Sequence, residues 1–190
     1  TYSVAETLEN MLFNGADLVF NGVTIYGYTN HPGRVADTGT NFGGGVWTGS
    51  GGSLGNVTDT VAGMINALNL YKYYGPFIVY LSTTQYNAIG NTWFTDGSDT
   101  TPLDRIMRMP QVQDVRELPE ETLPNGNGLL VALRRTVIDW TQAMTIQSME
   151  WMANDNMSQN FKVMTAATPR LKTQSHGKVG VAHVTGLDGG

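Results

Sequence analysis

A chain of 190 residues, 41% of them apolar, can bury one good-sized core, or one domain and part of a second. Only 14% of residues are charged and the net charge is −5, which argues against nucleic acid as a ligand of the whole surface and fits a surface shared with protein partners. The lack of cysteine excludes a disulfide framework and thiolate chemistry, and no segment reaches the ~18 consecutive apolar residues of a membrane span or the pattern of a signal peptide.

The sequence opens on Thr1 rather than Met, so a processed chain or a piece of a longer one is expected. Ser3 to Asn14 reads as the end of a helix, with Val4, Leu8, Met11 and Leu12 on one face and Gly15 as its stop. Residues 15–56 read as loop-rich. The runs at Gly43 to Gly45 and Gly49 to Gly55 precede a helix, but no apolar strand leads into them and no phosphate-loop lysine follows. A surface loop is the reading they support.

Asn56 or Thr58 caps a helix predicted to run to about Tyr74, its apolar stripe being Val57, Val61, Met64, Ile65 and Leu68. Gly75-Pro76 ends it, and Phe77 to Leu81 is a buried strand. Ser82 starts a short helix closed by Gly90. A polar loop, Asn91 to Thr101, leads to a helix that begins at Pro102, carries Asp104 in its first turn and turns Leu103, Ile106 and Met107 inward. From Pro110 the pattern becomes strand-like: Val112 to Leu118, Leu129 to Leu133, Val137 to Met144 and on through Trp151. A turn at Asn154-Asp155-Asn156 returns the chain through Phe161, Val163 and Met164, and Lys178 to Val184 is the last strand. Helices early and long antiparallel strands late make an α+β fold, with a mixed antiparallel sheet and flanking helices.

Catalytic and metal chemistry find little to stand on. His31, His176 and His183 lack the spacing of a zinc site, and Asp96, Asp99 and Asp104 lack that of a calcium loop. No GxSxG elbow is present, and the adjacent Glu120 and Glu121 on a loop make a poor acid–base pair. The expectation is no enzyme, no cofactor and no metal. Arg134-Arg135 and Arg170/Lys172, in strand-like stretches, read as solvated faces or interface salt bridges. Trp140 and Trp151 read as core, and Trp47 and Trp93 as loop residues of the kind that anchor interfaces.

Four segments in order carry a family resemblance: TLENMLFNG (residues 7–15), YYGPFIVYLSTTQYNAI (73–89), TPLDRIMRMPQV (101–112) and AMTIQSMEWMANDNMSQNFKVMTAATP (143–169). In these the chain resembles the encapsulins and the tailed-phage major capsid proteins, which share the Johnson-type capsid fold. The Gly-rich stretch from Asn41 to Gly55 departs from the encapsulins in being longer and more polar, and the tail from Lys172 to Gly190, with its GKVGVAHV, leans toward the phage proteins. The resemblance implies a fragment without the N-terminal arm, the extended loop and most of the spine helix. Residues 1–14 would end the spine helix, 15–143 form the axial domain, and 144–190 supply the hairpin and C-terminal strand of the peripheral domain.

The resemblance also implies a structural subunit of a virion, assembling with copies of itself into pentamers, hexamers and a shell. Scaffold or portal proteins would be further partners, with nucleic acid enclosed only indirectly and no membrane contact. The loop with Asn91, Trp93, Phe94, Asp96, Asp99 and Thr101 would meet its copies at the capsomer centre, where a cation or protonation could relieve repulsion between Asp96 and Asp99 carboxylates. Trp47, Arg105 and Arg108 are candidate interface residues. The alternatives are an encapsulin-type shell in a bacterial or archaeal cytoplasm enclosing a cargo enzyme, and a hydrolase or ligand-binding module on the same α+β plan.

Overall fold

The computed structural model describes residues 2–20, 22–38, 41–48, 52–94, 99–152 and 158–189. Helix α1 (Tyr2–Asn14) comes first, and Gly15 closes it with φ +76°, its N–H donating to Met11 O at 2.9 Å. The last carbonyls of a helix need outside donors. Here Tyr28 N and Thr29 N reach Leu12 O and Phe13 O at 3.1 and 2.9 Å, and Asn30 Nδ2 reaches Asn14 O at 2.7 Å. The approach is close enough that a Cβ at Gly27 would overlap the Phe13 carbonyl. This strap follows a small antiparallel ribbon, β1 (Ala16–Phe20) and β2 (Val23–Ile25), and leads into β3 (Val35–Thr38). The stretch expected to be loop therefore holds three strands. All are short, and β3 shows only four residues of alternation.

Helix α2 (Asn56–Leu70) buries Val57, Thr60, Val61, Met64, Ile65 and Leu68, the expected stripe with Thr60 added. It stops four residues before Tyr74. Lys72 takes φ 63°, and Lys72 N and Tyr73 N turn back to Asn69 O and Leu68 O at 2.9 and 3.1 Å. There follow β4 (Phe77–Ser82), α3 (Thr83–Asn91), α4 (Pro102–Met107), β5 (Val112–Leu118) and β6 (Gly128–Ala132). The chain ends with the long pair β7 (Ile138–Met152) and β8 (Gln159–Leu171), then β9 (Val181–Thr185). The expected turn at Asn154 to Asn156 lies outside the described residues.

The main sheet has the order β3-β9-β6-β4-β5. It is mixed: β3–β9 and β4–β5 are parallel, β4–β6 and β6–β9 antiparallel. Alternation sorts its residues onto two faces. Phe77, Val79 and Leu81, Leu130 and Ala132, and Ala182 and Val184 join the α2 residues and Ile89 and Ile106 in one cluster. Leu129, Val131 and Val181 face the other way, against Phe13, Tyr28, Leu118 and Leu123. Helices thus cover one side, and the end of α1 with its strap covers the other. This agrees with the α+β class. The expected domain limit at 143/144 falls inside β7, and the last strand, grouped with the hairpin in the sequence reading, lies between β3 and β6.

Several side chains sit differently from expectation. Met107 points outward, 52% exposed, because a six-residue helix presents one narrow face and Ile106 occupies it. Arg134 and Arg135 lie in the turn between β6 and β7 rather than in a strand; Arg134 donates to Gly75 O at 2.6 Å through Nη2. The Gly-rich segment is no simple surface loop either. Its described part packs on α2, burying Phe42 and Trp47, and a Cβ at Gly44 would overlap Thr60 Oγ1 and one at Gly63 the Phe42 carbonyl oxygen. Gly63→Ala should therefore lower stability by about 1–3 kcal/mol, the usual range for overpacking. Urea unfolding at unchanged slope would measure it; a loss under about 0.5 kcal/mol would show that the loop yields freely.

Candidate assembly surfaces

The capsomer-centre loop of the sequence reading hangs between α3 and α4. Thr101 closes it with a full capping box. Asp104 N donates to Thr101 Oγ1 at 3.2 Å, and Thr101 N donates to Asp104 Oδ2 at 3.0 Å. The Thr101 N–H, and then the Thr101 hydroxyl donating to the same Oδ2 at 2.9 Å, hold the Asp104 carboxyl below its ordinary range. On the loop side, Phe94 N donates to Thr100 O at 3.1 Å, and the Arg105 guanidinium lies 3.7 Å from the centre of the Phe94 ring. Arg105 Nε also donates to Thr100 Oγ1 at 3.4 Å.

The candidate residues therefore divide. Phe94, Thr101 and Arg105 shape the loop from within, while Trp93 and Asp99 are exposed on it, Asn91 is exposed at the end of α3, and Arg108 is exposed beyond the far end of α4. Asp96 lies outside the described residues, and Asp99 takes φ 47°, in the left-handed region. Trp47, read as an interface residue, is instead only 2% exposed. Its indole N–H donates to Thr60 Oγ1 at 3.0 Å inside the core, so the ring is spent on packing within the chain. Thr101→Val removes the bond from Asp104 N to the hydroxyl and the hydroxyl's own 2.9 Å bond to Asp104 Oδ2, leaves the one from Thr101 N, and should cost about 1 kcal/mol in urea unfolding; an unchanged midpoint would refute the hydroxyl's role in the cap.

The β7–β8 hairpin is the second surface. Its base is tied to the body by Lys172 N donating to Val137 O at 2.8 Å and by Ile138 and Leu171, packed on the second core cluster. Asp139 there accepts from Arg170 Nη2 at 2.6 Å and pairs with Lys172 Nζ at 2.8 Å. Hydrogen bonds from these two cations hold its carboxyl well below the usual range. The basic pair thus makes its ion pairs within the chain. Farther out, α1 lies along β8, leaving an open apolar cleft lined by Val4, Leu8, Met11, Val163 and Ala167.

Beyond the cleft the ribbon carries large apolar side chains in water: Ile146, Met149, Trp151, Met152 and Phe161, the last 74% exposed. Met149 and Trp151 share one face, while Met152 and Phe161 follow the opposite parity, as their cross-strand partners show. Trp140 and Trp151 were expected in a core. α1 covers only part of the two-stranded ribbon, and both tryptophans stay at least 40% exposed. The sequence signal for this surface was the apolar residues on both parities of one hairpin. Since the Asp139 interaction is favourable above the free carboxylate value of about 3.9 and is lost as pH falls below it, Asp139→Asn should remove it at neutral pH. Faster amide exchange at 138–141 and 168–171, diminishing in high salt, would be the sign; unchanged exchange would show that the ions do not brace the base.

Among the described residues, no three His, Asp or Glu side chains group as a metal site would need, and no helix is long and apolar enough to cross a membrane. Residues 1–184 match the model of a family described as "Family of unknown function (DUF6260)". The chain belongs to this family. No curated protein sequence matches it. Among solved structures, the capsid of Myoviridae phage XM1 aligns with a TM-score of 0.67 at 16% identity, over 98% of this chain and 64% of that one. The crystal structure of a virus-like particle from Pyrococcus furiosus aligns at 0.54 and 12% identity, over 80% of this chain and 56% of that one. This member of the family therefore has the capsid-type α+β fold and spans less than two thirds of either neighbour's length.

Proposed function

We propose that this chain is a structural subunit of a virus shell, a major capsid protein that meets copies of itself in capsomers and resides in the virion. The observation that carries this reading is the β7–β8 ribbon, with exposed apolar side chains on both faces. Large exposed apolar patches of this kind mark protein contacts, and a head-to-tail contact between identical copies closes into a ring. The likeness to a phage capsid over nearly the whole chain supports it. Function here is complementary surface, so no catalytic role is proposed.

The structural division we infer has α1 and the hairpin, residues 138–171, as the peripheral part. The five-stranded sheet with α2 to α4 is the axial part. The loop bearing Trp93 and Asp99 is then the contact at the capsomer centre. Scaffold and portal proteins are the further partners of this reading. The virus-like particle from Pyrococcus furiosus favours a second reading, an encapsulin-type compartment shell around a cargo protein, at a lower TM-score. Neighbouring genes for portal and scaffold proteins, or for a cargo enzyme, separate the two.

The assembly reading predicts concentration-dependent rings or larger particles by sedimentation and negative-stain electron microscopy. Trp151→Glu combined with Phe161→Glu should abolish them and leave the far-ultraviolet circular dichroism and the unfolding midpoint unchanged, since neither side chain belongs to the core. A species that stays monomeric at every concentration, with or without the changes, would overturn the proposal.

A further inference from the structure

His183 stands in the middle of β9, opposite Ala36 of β3 and Leu129 of β6. Only 8% of it is exposed. Arg34 Nε donates to its Nδ1 at 3.3 Å, and its buried Nε2 has no hydrogen-bond partner among the described residues. Because Nδ1 offers its lone pair to a guanidinium N–H, the ring is neutral, with its proton on Nε2. A second proton would place an N–H against the Arg34 N–H and a second positive charge beside the first.

The groups around it offer that charge no relief. Arg34 comes from the turn before β3, where its Nη1 also donates to His31 O at 3.0 Å. On that turn His31 Nδ1 accepts from Gly33 N. The residues opposite His183 on β3 and β6, Ala36 and Leu129, are apolar. Asp37 belongs to the other face, opposite Val184, and its carboxylate accepts from Thr38 N and Asn41 Nδ2. Tyr28, in the cluster on this side, has its hydroxyl pushed upward by burial and stays neutral. Among the described residues, the charge that bears on His183 is Arg34's.

The strand beside it is weakly held. β3 is four residues long, lies at the sheet edge and, among the described residues, pairs with β9 alone. The turn before it is fixed by Val179 N donating to Gly33 O at 3.0 Å and by the Arg34 contacts.

We propose that His183 and Arg34 form an acid-released latch: protonation of the buried imidazole expels Arg34 and frees residues 31–38 from the sheet, while β4, β5 and β6 stay paired. Burial and Arg34 together lower the His183 pKa to about 4. The freed segment restores the ordinary value of about 6.5. The open form therefore binds the proton better, the latch is closed at neutral pH, and its hold weakens as pH falls from about 6.5 to about 4. Release leaves β9 with an unpaired edge. The device rests on geometry within one chain and does not depend on the shell reading.

Hydrogen exchange followed by mass spectrometry, corrected for the intrinsic pH dependence of exchange, tests it. Between pH 7.5 and pH 5, peptides covering 31–38 should lose protection on the order of thirty-fold, while a peptide covering β4 keeps its own. His183→Leu should abolish the acid-induced loss. Arg34→Met should shrink it, because one of the two causes that keep the imidazole neutral is gone; this second variant decides the matter if the first does not fold. Equal losses in both regions, no loss at 31–38, or an undiminished loss in the variants would overturn the latch.

Discussion

The structure depends on the insertion of its last strand. β9 lies between β3 and β6, so the sheet is open until residues 181–185 arrive from the far end of the chain. Its inward residues are fully buried on both faces: Ala182 and Val184 toward the helices, Val181 toward the end of α1. At roughly 1.5–3 kcal/mol for each large apolar side chain, this five-residue segment contributes a substantial part of the marginal stability of a domain of this size. The Leu187 carbonyl just beyond it accepts from Trp47 N and Thr48 N at 2.9 and 3.1 Å, which ties the Gly-rich segment to the same event.

That constraint explains the position of the hairpin. β6 and β9 are antiparallel neighbours, yet residues 133–180 run between them. The ribbon is thus an excursion that leaves the sheet and returns to the adjacent position. The bonds at its base, Lys172 N to Val137 O and Arg134 to Gly75 O, lie where the chain departs and comes back. Its outer half has no partner in the core to satisfy, so its apolar side chains are available to another surface. Shell assembly, as proposed, uses what the sheet leaves over.

Much of the core was legible in the sequence because it follows local rules. The α2 stripe, the apolar run of β4, and the helix start at Pro102 with Asp104 in its first turn are each written within a few consecutive residues. β3 was not, because four residues reading Val-Ala-Asp-Thr carry too little pattern, and its partner lies about 147 positions away, as the register Val35–Ala182 shows. Trp47 was misplaced for a related reason. A glycine-rich stretch looks solvent-exposed in sequence, whereas Gly44 and Gly63 are the very residues that allow it to lie flat on α2. The hairpin was legible as a hairpin. The exposure of Trp140 and Trp151 was not, since a strand's alternation does not say how many layers will cover it. Of the surface candidates, the loop between α3 and α4 was found by resemblance, and only contact geometry separated Phe94 and Arg105, which brace it, from Trp93, which faces solvent.

The ribbon's length gives it mechanical leverage. β7 has 15 residues, and at about 3.3 Å per residue its far end stands roughly 50 Å from the base. A tilt of about 5° at the base would carry the tip through about 4 Å, nearly the spacing between neighbouring strands. The base is set by the Asp139, Arg170 and Lys172 ions, a few backbone bonds, the packing of Ile138 and Leu171 and the α1 helix along β8, while the sheet beneath is fixed by β9. The outer part of the ribbon, beyond α1, can therefore take a small range of angles without repacking the core, a freedom that the proposed shell would use wherever its curvature differs from place to place.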